Sequence, residues 1–151
     1  MYKLLMVFFC VLSVATSTSA QTPPKPDNVA KLTELISKSA GPYRKIAEGA
    51  WETSYKGKNL PRVLVRIATA GDGVFFIVSL FPRDTLVLTQ DLLLKIAEFN
   101  ANDYVKLVLE KTTLDVRVDA HANLLDLATF NALENLTALA ADSAYALVKS
   151  P

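Results

Sequence analysis

NANDYVKLVLEKTTLDVRVDAHANLL, residues 100–125, is the stretch whose reading decides the fold. Val105, Leu107 and Leu109 fall on one face of a first strand, and Val116, Val118 and Ala120 on one face of a second. TTLD (112–115) reads as the turn between them. A repeat of two residues is the mark of a half-buried strand, so the segment predicts an antiparallel hairpin with one apolar face. The same alternation puts Arg117, Asp119 and His121 together on the solvent side. His121 is the sole histidine of the chain, and its place two residues after Asp119 predicts an ion pair on that face.

Upstream, Thr89 sits where a helix N-cap belongs and Asp91 follows near the positive end. Leu92, Leu93, Ile96, Ala97 and Asn100 supply the inward stripe of that helix. Before it, RVLVRIAT (62–69) and VFFIVSLF (74–81) bracket AGDG, and Asp72-Gly73 between two β-rich runs is a hairpin signal. Phe75, Ile77 and Phe81 share one face of the second run; Val74, Phe76, Val78 and Leu80 share the other. A strand apolar on both faces is central in a doubly covered sheet or meets another chain. Residues 47–55 alternate as a further strand, with Trp51 and Tyr55 on one face, and KGKN (56–59) ends it. Asp27 reads as the cap of a helix over 28–40, which Gly41-Pro42 stops.

Downstream, a long helix runs from Asp126, with Leu127, Phe130, Leu133, Leu136, Leu139 and Ala140 recurring every three or four residues. The predicted order is α-β-β-β-α-β-β-α. Tight turns joining the strands, with helices between the sets, imply an antiparallel α+β domain with its helices on one face, spanning 27–150.

The first twenty residues have a different character. Lys3 precedes the uncharged run LLMVFFCVLSVA (4–15), and small polar residues lead to Ala20. That is the layout of a secretory signal peptide over 1–20, and the run is too short for a membrane span. QTPPKP (21–26) follows as a proline-rich spacer. Export to the periplasm or beyond is therefore expected, with no stable membrane span once the signal is cut. Cleavage removes Cys10, so the mature chain offers no disulfide, thiol nucleophile or thiolate metal site. It also removes Lys3, leaving 15 basic residues against the 15 acidic ones. That balance argues against nucleic acid and anionic membrane as partners.

Candidate chemistry is sparse. His121 and Asp119 lack a nearby serine in a nucleophile context, and no G-x-S-x-G is present. Asp115, Asp119 and Asp126 do not form a calcium loop, and one histidine is too few for zinc. AGDG leads into a strand and lacks the lysine of a phosphate loop. Glu48 and Glu52 share a strand face, as acidic residues on solvated faces commonly do. Asn135-Leu136-Thr137 matches a glycosylation acceptor but falls mid-helix. The expectation is no enzyme, no cofactor and no metal.

Element order and the stretch FNANDYVKLVLEKTTLDVRVDAHANL (99–124) resemble the fold of the type III secretion chaperones and the YbjN-like family that shares it. The resemblance spans 28–149. It rests on an Asn-containing helix end running into a hairpin, followed by a long C-terminal helix. The signal peptide departs from the cytoplasmic secretion chaperones. The resemblance implies a dimer-prone, non-enzymatic binding module. The partner is then a second copy or another envelope protein, and Trp51, Tyr55, Phe75, Phe76, Ile77 and Phe81 are the candidate contact residues. The alternative is a periplasmic carrier whose aromatic face lines a pocket for a small apolar ligand.

Overall fold

The computed structural model describes residues 25–101 and 104–149. The expected signal peptide, Cys10 and most of the proline-rich spacer lie outside the described residues. Three helices and six strands follow one another in the order α-β-β-β-β-α-β-β-α. The strands form one antiparallel sheet in the order β1-β2-β3-β4-β6-β5. The α+β class and the antiparallel sheet therefore stand as read from the sequence, with one more strand than expected.

The extra strand comes from residues 44–55. They form a hairpin of β1 (Arg44–Ala47) and β2 (Ala50–Tyr55), not a single strand from 47. Gly49 turns the chain at φ 68°, a conformation that costs a residue without Cβ little. Helix α1 (Pro26–Lys38) starts and ends two residues earlier than the expected 28–40. Lys25 is its N-cap, Pro26 opens it and Asp27 lies inside the first turn, where its charge still complements the helix dipole.

Strands β3 (Val63–Ala70) and β4 (Gly73–Pro82) pair through Ala70 and Gly73. The two turn residues are Gly71, at φ 56°, and Asp72, one position earlier than the Asp72-Gly73 reading. Gly73 instead stands in the strand under the Phe75 ring, which a Cβ would meet at 2.6 Å. The register of β4 against β6 (Thr113–His121) shifts between Ser79 and Phe81. A bulge of this kind reverses the side-chain alternation beyond it. Phe81 thus leaves the face of Phe75 and Ile77, pairs with Leu114 and stacks on Tyr145 at 5.1 Å. In the last hairpin TTLD is not the turn. Glu110 and Thr113 already hydrogen-bond across it, and Thr113, Leu114 and Asp115 belong to β6.

Helix α2 (Gln90–Phe99) has the expected cap, with the Thr89 hydroxyl accepting from the Leu92 N–H at 3.1 Å. Its inward side is narrower than read. Leu92 is buried and Ile96 and Phe99 pack on the core, while Leu93 and Ala97 are exposed. Beyond it, β5 (Lys106–Leu109) is an edge strand. The side chain of Asn100 donates to the Leu107 carbonyl at 2.9 Å and accepts from the Leu107 N–H at 2.6 Å. One amide thus satisfies, at Leu107, the N–H and C=O that an edge strand leaves open.

Helix α3 (Leu127–Lys149) lies across β3, β4 and β6. It turns Phe130, Glu134, Thr137, Ala138, Ala141 and Ala144 to the sheet, while Leu136 and Leu139 are exposed. Small side chains on the inner face bring the helix axis close to the strands. Phe130 fills the space that remains, at 5.5 Å from Phe76. Farther along, the Asp142 carboxylate accepts the N–H groups of Lys58, Asn59 and Leu60 and fastens the β2–β3 loop to the helix.

Enlarging that inner face must push the helix off the sheet. Ala141→Leu is expected to lower stability by about 1–3 kcal/mol. Leu139→Ala, on the exposed side, should stay within about 0.5 kcal/mol. Urea denaturation midpoints check both.

Candidate functional site

The helices cover one face of the sheet, and alternate strand residues cross to the other. Its middle row runs Arg44, Glu52, Arg66, Ile77, Arg117 and Lys106, one residue per strand. A second row runs Ala50, Ala68, Phe75 and Asp119. On the other side of the middle row, β2 and β3 pair Ser54 with Leu64, while Ser79, Asp115 and Val108 pair across β4, β6 and β5. Phe75 and Ile77 are half-buried here and Leu64 is exposed. The face is therefore apolar at its centre and charged around it.

Fixed ion pairs frame that centre. Arg44 Nη2 lies 2.9 Å from Glu52 Oε1, and Arg117 Nε lies 2.5 Å from Asp119 Oδ1. The Arg117 guanidinium also sits 4.5 Å from the centre of the Phe75 ring, a cation–π contact that shields part of the ring from water. A depression of about 460 Å³ beside it is lined by Tyr104, Lys106, Val108, Arg117 and Asp119. Asp115 is buried on this side of the sheet with Oδ1 unpartnered among the described residues, an arrangement that costs stability.

The six aromatic and aliphatic candidates divide between the two faces. Phe75 and Ile77 are on the open side. Trp51 at 5 % exposure and Phe76 at 0 % lie in the core beneath the helices, out of reach of a partner. Tyr55 and Phe81 also point inward and are half-buried. The bulge accounts for Phe81; for Trp51 and Tyr55 the reason is that β2 gives its aromatic side to the helices and its polar side, Glu52 and Ser54, to the open face. His121 ends β6 opposite Gly73 and is exposed. Asp119 pairs with Arg117 and not with His121. Among the described residues no group of three or more His, Cys, Asp or Glu side chains could hold a metal.

One polar cluster was not legible in the sequence. Glu134 is 1 % exposed on the inner side of α3. The hydroxyls of Tyr43 and Tyr55 donate to its two carboxylate oxygens, the former at 2.7 Å. Ser39 links Tyr43 to Asn131 through its own hydroxyl, at 2.8 and 2.7 Å. Burial, and then the bond to Glu134, raise the Tyr55 phenol far above its ordinary value; burial alone leads for Tyr43, against the lowering effect of Ser39. Both phenols are spent on a neighbouring acid, so the cluster holds elements together and offers no free nucleophile or base. Its only sequence signal is an acidic residue where a helix stripe should be apolar.

Compared with protein-family models, curated proteins and solved structures, the chain finds no match. No helix among the described residues is long and apolar enough to cross a membrane.

The raised phenols predict a pH dependence. A phenol whose folded pKa exceeds its unfolded value stabilises the fold below the unfolded pKa, about 10, and that contribution is lost as pH rises towards the folded value. Stability should therefore fall above about pH 10, measured by circular dichroism. Tyr55→Phe, which leaves one Glu134 oxygen without its donor, is expected to cost about 1.5–3 kcal/mol at neutral pH.

Proposed function

We propose that the protein is an exported, non-enzymatic protein-binding module of the YbjN-like or type III secretion chaperone-like class. Its working surface is the open sheet face, and the occupant of that face is a second copy of the chain. The observation that carries this reading is the set Leu64, Phe75 and Ile77, apolar and unoccupied by any helix at the centre of the sheet. Apolar side chains clustered on an open face favour contact with another surface.

Charge decides between the two ways of stacking the face on itself. A two-fold axis across the strands sets Arg66 on Arg66, Arg117 on Arg117 and Glu52 on Glu52, which repel. An axis parallel to the strands, between β3 and β4, sets Glu52 opposite Arg117 of the second copy. It also sets Phe75 opposite Ala68 and Leu64 opposite Ser79, large against small. The like pair that remains, Arg44 and Lys106, is at the margin. Each is already engaged in its own copy, Arg44 with Glu52 and Lys106 with the Asn100 carbonyl. Six strands about 4.8 Å apart give a contact of about 1,000 Å² for the pair, the low end of specific interfaces.

Light scattering should give a dimer that dissociates on dilution. Ile77→Glu should abolish it. Glu52→Arg should weaken it and Glu52→Arg with Arg117→Glu should restore it. A monomer at high micromolar concentration would sink the reading, whereas a dimer indifferent to Ile77→Glu would move it to another surface.

A further inference from the structure

A second concavity lies on the helical side, away from the open face. It measures about 390 Å³, within the range of small-ligand sites, between the β2–β3 loop and the outer flank of α3. Leu139 and the half-buried Tyr55 ring supply its apolar surface, Val63 and Ala138 form its buried floor, and Lys56 and Lys58 stand at its rim. Leu139 is 70 % exposed there, a large aliphatic side chain facing a concave space.

The charges at this cleft do not cancel. Lys56 and Lys58 enter no ion pair among the described residues. Asp142 is the acid of the lining, and the loop saturates its carboxylate. Oδ1 accepts from Asn59 N–H and Leu60 N–H at 2.8 Å each, and Oδ2 from Lys58 N–H and the Asn59 amide at 3.1 Å each. Those bonds, led by that from Leu60, hold the Asp142 carboxyl below its usual range, so it stays ionised at neutral pH. Among the residues that line the cleft, two ammonium groups stand against one carboxylate; Glu134 lies behind Tyr55, its carboxylate oxygens bonded to the Tyr43 and Tyr55 hydroxyls. The hydroxyl of Tyr55 is turned to Glu134, so Tyr55 contributes wall and no donor.

The loop is also held in shape before any ligand arrives. A Cβ on Gly57 would overlap the Asp142 carboxylate and the Leu60 carbonyl, so the loop seats directly on the helix. A fixed loop loses little freedom on binding, which preserves affinity in a small site.

We propose that this cleft binds a small organic monocarboxylate with an apolar body, its carboxylate between Lys56 and Lys58 and its body against Leu139 and the Tyr55 ring. The site is independent of the open sheet face and does not need a second copy. A medium-chain fatty acid has this chemistry: one negative charge to match the excess and methylene groups to cover Leu139.

The test is an amide-resolved NMR titration of the protein with octanoate, with octylamine and acetate as controls. Octanoate should shift resonances of 56–63 and 135–142. Octylamine keeps the body and reverses the charge; acetate keeps the charge and lacks the body. Both should bind about tenfold more weakly or worse, and Lys56→Glu with Lys58→Glu should weaken octanoate by a similar factor. Leu139→Asp, at an exposed position, should do the same without loss of fold. Octanoate shifts confined to the open face around Phe75 and Ile77 would overturn the proposal. So would equal binding of octylamine, unchanged affinity in the double variant, or no shift at all.

Discussion

A carboxyl group under the long helix is the constraint on which the rest of this structure depends. Helix α3 carries leucines and alanines on more than one side: Leu127 and Leu133 pack on the core while Ala128, Ala132 and Ala146 are exposed. Hydrophobic burial alone would let it roll. Glu134 removes that freedom, because a buried carboxyl group tolerates only the rotation that brings it donors. Tyr43, ahead of β1, and Tyr55, at the end of β2, supply them from both ends of the first hairpin. Ser39, at the end of α1, joins through Tyr43 and Asn131. One polar contact thus fixes the helix, the hairpin and the first helix together, and the alanine face follows it inward.

Fixing α3 in this way places both candidate binding surfaces. With the helices gathered on one side, every second residue of six strands is left on the other, and apolar Phe75 and Ile77 sit at its middle. With the alanine face turned in, Leu139 is turned out, next to the loop that Asp142 clamps. The exposed sheet face follows from the helices lying on one side of it, and the exposed leucine from which face of α3 is buried.

The strands were the legible part of the sequence, because a repeat of two residues can be satisfied in only one way once one face is buried. Val74, Phe76 and Val78 and their partners Val116, Val118 and Ala120 all lie where their alternation puts them. Alternation failed where the backbone breaks step. The bulge after Ser79 moved Phe81 to the other face, and Gly49 split one apparent strand into two. The inner face of α3 was misread for another reason. Leucine counts as apolar on any flank of a helix, whereas close approach to a sheet selects alanine, and no periodicity reveals that. The contact of Glu134 with two tyrosines about eighty and ninety residues away has no local signature at all.

Asn100 covers the outer edge of β5 at Leu107 with one nitrogen and one oxygen. That seal depends on a side chain that both donates and accepts. An aspartate at position 100 would be acceptor-only. After that change an anionic oxygen would face the Leu107 carbonyl in place of the donating nitrogen. The edge would then be repelled from its own cap and left with an unpaired carbonyl, the template on which strands of other molecules add. The difference between a covered and an open edge at β5 is thus the single proton-bearing nitrogen of one side chain.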